Sequence, residues 1–351
     1  MSGVERFAHL DPAWLRAALA TRDPHAATVD SFVLDPVAFT GATTDMSRLR
    51  ISYLDDGVPG PATLVAKLRG VRDVQRQMDQ AMGLFEREAR FYLELAEEVP
   101  VRTPRCYFAG DGDKTPLLLE DLGSSRMGDQ MEGMSLPDAE ATLDALADLH
   151  AAFWQSDRLT QPWLASPADG AFAAMITQLV ASGAAALAER YRDQAPAEVL
   201  AAIVDRAPAW TEILARLVEG PRTLVHNDAR LDNLFFSADG TPCFIDWQVL
   251  ARTRGTQDVG NLLAGSMDAD DLSAHWERLL RRYHDRLLAR GVSGYGFDQC
   301  VEHYRQSIVY PLGASMALLG AMDIGDGRGL GDRMATRCLR HIAELESFKA
   351  F

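Results

Sequence analysis

Lysine is nearly absent from this 351-residue chain, because Lys67, Lys114 and Lys349 are the only lysines among its 35 basic residues. Basic residues as a class are also outnumbered, since 50 acidic residues give a formal net charge of −15. Binding to the phosphate backbone of nucleic acids needs clustered lysine and arginine, so this balance excludes nucleic-acid binding as the main role. A lysine that persists in a chain that otherwise uses arginine is a candidate for a specific chemical task.

Cysteine and long apolar runs are scarce as well. The four cysteines are scattered and form no Cys-x-x-Cys pair, which excludes a disulfide framework and a zinc site of the usual spacing. No uninterrupted apolar run reaches the ~18 residues that a membrane-spanning helix needs. The first residues lack the basic and apolar regions of a secretory signal. We therefore expect a cytoplasmic protein with reduced cysteines and no membrane partner.

The order of the sequence patterns predicts an α+β fold with two lobes. Hydrophobic residues make up 47% and charged residues 24% of the chain, which is typical of globular proteins. Three alternating, strand-like segments lie before residue 70, and 73–98 has the pattern of one long amphipathic helix. After residue 137 the pattern is helical except at 223–246. We predict a small β-rich N-terminal lobe, residues 1–121, and a larger α-helical C-terminal lobe, residues 122–351.

The strongest chemical signal is a polar loop between two apolar runs, in which His226, Asp228 and Asn233 follow the pattern HxDxxxxN. A turn and an apolar pair follow, so a β-hairpin would return Asp246 beside this loop. Phosphoryl transfer needs a carboxylate that orients and deprotonates the attacking hydroxyl, a task that suits Asp228. It also needs oxygen ligands for Mg²⁺, a task that suits Asn233 and Asp246. Ordinary turn residues are the alternative, but the flanking strands favour the functional interpretation.

This stretch, HNDARLDNLFF followed by FIDWQ, resembles the kinase-like small-molecule phosphotransferases. That group includes aminoglycoside phosphotransferases, choline kinases and, most similar to this chain, ecdysteroid kinase-like phosphotransferases. The resemblance implies a bilobal protein-kinase-like fold, ATP and Mg²⁺ as cofactors, and a small-molecule alcohol as substrate. Trp247 and Gln248 stand where protein kinases have Phe-Gly, and no Ala-Pro-Glu follows, which disfavours a protein substrate. Asn227 replaces the usual glycine between the histidine and the aspartate.

The resemblance also implies roles for two basic residues. Arg230 would direct a cation at the transferring phosphate and offset its charge; the alternative is a surface arginine paired with Asp232. Lys67, in an apolar strand pattern, would bind the nucleotide phosphates and pair with a glutamate on the next helix. We choose Glu88, because it shares a helical face with apolar residues, whereas Glu86 is expected to be solvated. A strand-edge lysine whose ammonium reaches water is the alternative for Lys67.

The remaining nucleotide contacts are implied by the resemblance alone. A loop between two predicted strands would cover the phosphates, and its candidate residues are Gly41, Thr43, Thr44 and Ser47. The end of the small lobe would form the interlobe hinge, where main-chain atoms of Glu120 and Leu122 bind the adenine edge. The resemblance implies that Asp258 is structural, capping a helix and bonding to the catalytic loop, and we interpret it first as a helix N-cap. His226 is interpreted as a residue that braces the loop rather than binds a metal ion.

The acceptor must be a hydroxyl that reaches Asp228 in a cleft of the helical lobe. Candidates for the lining of this cleft are Trp154, Trp163, His303, Tyr304, Tyr310 and Met316, with core packing as the alternative for most of them. Aromatic lining favours a bulky apolar alcohol, whereas the net charge favours a cationic acceptor such as choline or an aminoglycoside. The acceptor therefore stays open, as do ATP against GTP and the oligomeric state, a homodimer included.

A catalytically silent nucleotide- or ligand-binding module is the alternative function. Such a module would be expected to have lost one of the four residues that phosphoryl transfer uses. This chain keeps all of them, namely Lys67, Asp228, Asn233 and Asp246. An ATP-dependent kinase that acts on a small-molecule hydroxyl is therefore the preferred hypothesis.

Overall fold

The computed structural model describes residues 6–37, 43–54, 60–110, 115–320 and 329–351. The chain forms two units. Unit 1 consists of residues 1–98 and 103–125, and unit 2 consists of residues 99–102 and 126–351.

A five-stranded antiparallel sheet forms the centre of unit 1. Its strands are β1 (Val29–Pro36), β2 (Thr44–Tyr53), β3 (Thr63–Arg69), β4 (Cys106–Ala109) and β5 (Leu117–Glu120), in the spatial order β1-β2-β3-β5-β4. Strand β2 follows the predicted alternation, because Leu49 and Ile51 are buried and Arg50 between them is exposed. Strand β3 is an inner strand, in which Lys67 lies opposite Met46 of β2 and Leu117 of β5.

The first helix, α1 (Pro12–Leu19), begins as its sequence predicts. The carboxylate of Asp11 accepts a hydrogen bond from the Trp14 amide at 2.7 Å, and proline occupies the first helical position. The apolar side of α1 joins the sheet in one core, whose fully buried members include Phe7, Leu15, Leu19, Leu49 and Leu64.

The prediction of one helix over 73–98 is wrong, because the segment forms two helices, α2 (Asp73–Met82) and α3 (Leu84–Glu94). Gly83 between them has a φ of 61°, in the left-handed region that glycine adopts without steric cost. The carboxylate of Asp79 accepts a hydrogen bond from the Phe85 amide at 2.8 Å and so satisfies a donor at the start of α3. One glycine and one carboxylate therefore interrupt a continuous hydrophobic pattern.

Unit 2 is built mainly of helices, as predicted. They are α4 (Leu136–Ala152), α5 (Gly170–Arg190), α6 (Ala197–Arg206), α7 (Trp210–Leu217), α8 (Thr256–Ser266), α9 (Ala269–Ala289), α10 (Phe297–Ser307), α11 (Val309–Gly320) and α12 (Leu330–Glu344). Two small antiparallel sheets accompany them. One pairs β7 (Thr223–Val225) with β10 (Ala251–Thr253), and the other joins β6 (Arg126–Met127), β8 (Leu234–Phe236) and β9 (Pro242–Phe244).

The predicted hairpin of the 223–246 stretch is present as β8 and β9. Its turn contains Gly240 at a φ of 84°. The amide of Ile245, just past β9, donates to the carbonyl of Asn233 at 3.0 Å. The end of β9 therefore lies beside the loop that precedes β8, and Asp246 is the next residue along the chain.

Helix α5 is, among the described residues, the one that could cross a bilayer by length and composition. Within this structure, 28% of its most apolar 18-residue window is buried. The helix also contains the polar residues Thr177, Gln178 and Ser182. A single helix of this kind is weak support for a membrane span, because core helices of globular proteins can have the same length and composition.

An ionic ladder joins helices α4 and α9. Its acidic side consists of residues four apart on α4, namely Glu140, Asp144 and Asp148. Its basic side consists of Arg278, Arg282 and Arg286 on α9 and Arg290 at the C-cap of that helix. The carboxylate of Asp148 accepts two hydrogen bonds from Arg286, at 2.6 and 2.7 Å, and two from Arg290, both at 2.8 Å. Burial acts to raise the pKa of Asp148, but the hydrogen bonds and charges of both arginines outweigh it and lower that pKa.

We predict that Asp148→Asn lowers the free energy of unfolding by about 1–2 kcal/mol at pH 7, because partly exposed charge-assisted hydrogen bonds are lost. A carboxyl group whose pKa is lower in the folded state stabilises above its unfolded pKa of about 3.9. That contribution disappears as the pH falls through the lowered pKa, so the two proteins should converge in acid. Urea unfolding over a pH series measures the difference.

The control for this ladder experiment is Asp193→Asn, since the Asp193 side chain is 87% exposed and lies 3.4 Å from an exposed arginine. It should leave the unfolding free energy unchanged. A stability loss in Asp148→Asn that stays constant down to the lowest pH at which the wild type folds would contradict the electrostatic origin.

Candidate active site

A buried carboxylate fixes the loop between β7 and β8 that carries the HxDxxxxN motif. The two oxygens of Asp258 accept hydrogen bonds from the amides of His226 and Asn227, each at 2.7 Å. The N-cap prediction for Asp258 is wrong, because α8 begins at Thr256 with Gly255 at its N-cap. The bonds from the two loop amides are the other role that the resemblance implies for Asp258, and the structure confirms them.

Asn227 adopts the conformation that a glycine would supply at this place in the pattern. Its φ is 67°, in the left-handed region that asparagine tolerates better than most residues. Its side-chain amide donates to the carbonyl of Val249 at 3.1 Å and accepts from Gln257 at 3.3 Å. Asn261 donates to its main-chain carbonyl at 3.3 Å. Asparagine thus keeps the glycine-like backbone and adds side-chain bonds to the surrounding chain.

His226 braces the loop through backbone contacts, as predicted. Its Nε2 lies 2.8 Å from the carbonyl of Ile245, and its Nδ1 lies 3.3 Å from the amide of Asp228. This pairing assigns the proton to Nε2 and leaves Nδ1 as the acceptor. The ring also contacts Trp247, with the ring centroids 4.6 Å apart.

The carboxylate of Asp228 is held between an amide and a guanidinium. Nδ2 of Asn233 donates to Oδ2 of Asp228 at 2.8 Å and to its carbonyl at 2.9 Å. Nε of Arg230 lies 3.3 Å from Oδ1 of Asp228, and NH1 of Arg230 lies 2.8 Å from Oδ2 of Asp232. Arg230 therefore pairs with Asp232, as one alternative proposed, and also reaches Asp228. The Asp228 side chain is 30% exposed, so one side of it faces solvent.

Opposing effects act on the pKa of Asp228. Burial raises this pKa, and the negative charge of Asp246 raises it further, while Arg230, His226 and Asn233 lower it. The net direction is upward from the ordinary value for aspartate. A raised pKa makes the carboxylate a stronger proton acceptor than a free aspartate, which is the property that a general base requires.

Asp246 occupies a second left-handed position, with φ 64° and ψ 60°. Such backbone is costly for a residue other than glycine and is often found at functional sites. Nε2 of Gln248 donates to Oδ2 of Asp246 at 3.2 Å. Asn233 forms the other side of this candidate metal site. Its Nδ2 donates to Asp228, so the side-chain oxygen Oδ1 is the atom suited to bind a cation.

The donor set at this place fits Mg²⁺. The described residues contain no group of three or more His, Cys, Asp or Glu side chains that could hold a metal ion by themselves. Magnesium commonly binds proteins through one or two carboxylates and completes its coordination with water and substrate phosphates. One carboxylate and one amide oxygen, with a second carboxylate near enough to affect titration, agree with that mode of binding.

Unit 1 contains a buried ion pair at the predicted phosphate-binding lysine. Nζ of Lys67 lies 2.6 Å from Oε2 of Glu88, and their side chains are 6% and 1% exposed. Glu86 is 53% exposed and pairs with Arg90, so Glu88 is the glutamate of α3 that meets Lys67. The inner position of β3 rules out a strand-edge lysine that reaches water. The two opposite charges compensate each other in the interior of unit 1, whereas burial of either charge alone would cost free energy.

The predicted phosphate-covering residues lie around the start of β2. Gly41 lies outside the described residues. The carbonyl of Thr43 accepts from the Gly70 amide at 3.2 Å, and Thr44 is buried as the first residue of β2. The hydroxyl of Ser47 donates to the carbonyl of Asp35 at 2.9 Å and so contributes to the pairing of β1 with β2.

The predicted hinge residues lie at the end of β5, where Glu120 is its last residue and Leu122 follows it. The amide of Glu120 donates to the carbonyl of Arg105 at 2.8 Å, and its side chain accepts from the Arg105 amide at 2.9 Å. The carbonyl of Leu122 accepts from Ser125 at 2.8 Å. Asp121 between them forms two hydrogen bonds with Arg48, at 2.6 and 3.1 Å, which anchors the segment to β2.

Several polar residues that support the loop gave no signal in the sequence. His150 of α4 lies 3.2 Å from Asp258 and 2.9 Å from the hydroxyl of Tyr283, and all three side chains are buried. Gln257 and Asn261 bind Asn227, as described above. These residues come from three helices far apart in sequence, so spacing could not have revealed them.

The candidates for the acceptor cleft divide into core and partly exposed residues. Tyr304 and Met316 are fully buried, and the Tyr304 hydroxyl bonds His341 at 2.9 Å, so both belong to the core. His303 lies 3.1 Å from the Tyr295 hydroxyl, and burial lowers its pKa to about 4. Tyr310 stays partly exposed, and its pKa is raised by burial and by the negative charge of Asp228. Trp154 and Trp163 are partly exposed as well, and Tyr310 is a candidate on which the charge of Asp228 acts.

We predict that Asp228→Asn raises the thermal stability at pH 7. A carboxyl group whose pKa is higher in the folded state favours folding below its unfolded pKa and opposes it once the pH exceeds the folded value. Asparagine removes this penalty, keeps the size of the side chain and retains one of the two acceptor oxygens. The Tm difference, followed by thermal unfolding, should shrink as the pH falls from 7 towards 4.

Asp239→Asn serves as the control of opposite sign. Hydrogen bonds from the Ser237 hydroxyl and the Thr241 amide lower the pKa of Asp239 to about 2. Its replacement should leave the Tm at pH 7 unchanged or lower it. A Tm of Asp228→Asn at pH 7 below that of the wild type would show that the carboxylate stabilises the loop.

Comparison with solved structures shows the same fold at low sequence identity. A choline kinase from Cryptosporidium parvum Iowa II is 11% identical, with a TM-score of 0.55 over 95% of this chain and 94% of that chain. The gentamicin complex of APH(2″)-IIa is 16% identical, with a TM-score of 0.52 over 89% and 93%. A choline/ethanolamine kinase family protein from Mesorhizobium loti is 16% identical, with a TM-score of 0.51 over 95% and 97%.

Comparison with curated proteins gives no match. Comparison with protein families gives a match to the ecdysteroid kinase-like family, whose model covers residues 40–291. This range includes Lys67, Glu88 and the whole HxDxxxxN loop with Asp246. The chain has the protein-kinase-like fold of the choline kinases and aminoglycoside phosphotransferases, and it belongs to the ecdysteroid kinase-like family.

Proposed function

We propose that this protein is an ATP-dependent phosphotransferase that moves the γ-phosphate of ATP to a hydroxyl of a small molecule. The family and the similar structures support a kinase that acts on small molecules. The observation that carries the proposal is the placement of the Asp228 carboxylate between the Asn233 amide and the Arg230 guanidinium, with one side open to solvent.

Asp228 orients the acceptor hydroxyl and takes its proton. The two hydrogen bonds from Asn233 fix the rotamer of the carboxylate, so the acceptor meets it in one orientation. Arg230 is anchored by Asp232 and extends towards Asp228, where its charge would offset the charge of the transferring phosphoryl oxygens. The same charge limits the rise of the Asp228 pKa, which burial and the charge of Asp246 cause.

Asn233 and Asp246 would hold Mg²⁺ through their oxygen atoms, and Lys67 would bind the phosphates of ATP. When bound, Mg²⁺ neutralises charge on the β- and γ-phosphates. In the protein, Glu88 holds the Lys67 ammonium in one place inside unit 1. Thr43, Thr44, Ser47, Glu120 and Leu122 stay predicted nucleotide contacts, as does Gly41, and a cytoplasmic location stays a prediction as well.

The acceptor is proposed to be an uncharged, largely apolar alcohol. Tyr310, whose titration Asp228 affects, is the second residue of α11, and α5 packs against α11. Within the described part of the chain, α11 has no charged residue and α5 has none before Glu189. A cationic acceptor would need carboxylates on these surfaces to offset its charge, and they carry none.

The test of the base is Asp228→Ala. Turnover of MgATP with a responsive acceptor should fall about 10²–10⁴-fold, the usual contribution of a general base, while nucleotide binding stays intact. A panel of hydroxylated compounds, cationic and neutral, is screened by mass spectrometry for the gain of one phosphate. Asp239→Ala, in the exposed turn between β8 and β9, is the control and should keep full turnover.

Two outcomes would contradict the proposal. Unchanged turnover in Asp228→Ala would remove the base from the reaction. Binding of ATP without phosphate gain by any acceptor, and without hydrolysis that depends on Asp228, would favour the catalytically silent module. Phosphate gain confined to cationic acceptors would contradict the acceptor class and leave the reaction type standing.

A second prediction separates the structural and functional roles of Lys67. Lys67→Met should destabilise the protein by roughly 3–5 kcal/mol, because Glu88 is left as an unpaired buried charge. The double variant Lys67→Met/Glu88→Leu should recover most of that stability without regaining nucleotide affinity. Urea unfolding and titration with MgATP measure the two properties on the same proteins. Wild-type affinity for MgATP in the double variant would show that Lys67 is structural alone.

A further inference from the structure

Gln130 lies fully buried in the segment between β6 and α4. It forms hydrogen bonds to the HxDxxxxN loop through both its side chain and its main chain. Its Oε1 accepts from the amide of Leu231 at 2.9 Å, and its main-chain amide donates to Oδ1 of Asp232 at 2.8 Å. The Leu231 amide also lies 3.2 Å from the hydroxyl of Ser266. Gln130 thus contacts two consecutive residues that lie between Arg230 and Asn233 in the sequence.

The other polar groups of Gln130 are tied to helices. Its Nε2 donates to the carbonyl of Gly265, near the end of α8, at 2.5 Å. Its carbonyl accepts from NH1 of Arg337 of α12, also at 2.5 Å. Arg337 is 2% exposed and is held by Asp268 at 3.2 Å. One turn earlier on α12, Nε of Arg333 donates to the carbonyl of Met131 at 3.0 Å.

These contacts lead from the C-terminal helix to the candidate base. Arg337 fixes the main chain of Gln130, and Gln130 fixes Asp232. The other oxygen of Asp232 accepts from NH1 of Arg230, whose Nε lies 3.3 Å from Asp228. Each step is a hydrogen bond or ion pair, and Gln130, Arg337 and Asp232 are buried, so a displacement of Gln130 would move the atoms that aim Arg230.

We propose that Gln130 is a positioning residue of the phosphotransferase site, which holds Leu231 and Asp232 so that Asp232 aims the Arg230 guanidinium beside Asp228. The inference rests on the proposed function, because it needs Arg230 to act during transfer. It also predicts a direction of coupling: Gln130 affects turnover through Arg230, and its effect disappears when the guanidinium is absent.

The test compares two buried glutamines. Gln130→Met keeps the shape of the side chain and removes its bonds to Leu231, Gly265 and Ser266, while the main-chain amide that binds Asp232 loses this support. Gln306→Met removes another buried glutamine, 4% exposed, whose side chain binds Arg254 and the carbonyl of Ala350.

We expect kcat for MgATP turnover to fall about 10- to 100-fold in Gln130→Met, the cost of a small misplacement at a reacting centre. The KM for MgATP should change less than about threefold and Gln306→Met should retain kcat, as expected if the loss lies in positioning.

The decisive measurement is a double-mutant cycle with Arg230→Met. If Gln130 acts through Arg230, Gln130→Met/Arg230→Met is no slower than Arg230→Met alone, whereas independent effects on kcat would multiply. Hydrogen exchange, measured on the same proteins, should be faster at Leu231 in Gln130→Met and unchanged there in Gln306→Met. If Gln130→Met does not fold, Asp232→Asn replaces it in the cycle, because it keeps the acceptor for Gln130 and weakens the hold on Arg230.

The outcomes separate the inference from the proposed function. Activity of Asp228→Ala equal to that of the wild type overturns the proposed function. An inactive Asp228→Ala together with a Gln130→Met that matches Gln306→Met in kcat overturns the inference alone. Losses that multiply in the cycle, or unchanged exchange at Leu231 in Gln130→Met, also overturn the inference.

Discussion

One buried carboxylate, that of Asp258, is the constraint on which the chemistry of unit 2 depends. It accepts hydrogen bonds from the amides of His226 and Asn227 and from the imidazole of His150. The Asp258 side chain is fully buried. A buried charge is costly unless hydrogen bonds surround it, so the loop and the helix that carries Asp258 keep one mutual arrangement. The left-handed backbone at Asn227 costs free energy by itself, and the charge-assisted bonds to Asp258 offset that cost.

The same physical principle appears in unit 1, with an ion pair in place of a charge held by amides. Lys67 and Glu88 are buried together, and each makes the burial of the other tolerable. Such pairs are weak contributors to net stability, but they fix the position of a charged group inside a low-dielectric interior. In the proposed function, a lysine held in this way binds a phosphate without the entropy loss of ordering a flexible side chain at the moment of binding.

Prediction from the sequence succeeded where the signal was local. The alternation of Leu49, Arg50 and Ile51 indicated a strand, and the apolar runs around the HxDxxxxN loop indicated the hairpin of β8 and β9. It failed at Gly83, where one left-handed residue divides a continuous helical pattern, and in the N-cap role of Asp258, whose side chain binds loop amides while Gly255 stands at the N-cap. In both places, contacts with groups outside the local pattern determined the outcome.

The sequence by itself determined the residue types that phosphoryl transfer requires, their spacing along the loop, the choice of Glu88 over Glu86, and the acidic, lysine-poor composition, because these are properties of the chain order and of composition. Only the tertiary structure decided that Arg230 contacts both Asp228 and Asp232, and which residues of distant helices support the loop. The reason is that hydrogen bonds form between groups that packing brings together. Residues such as Gln130 and Leu231, about a hundred positions apart, meet only once the helices have packed.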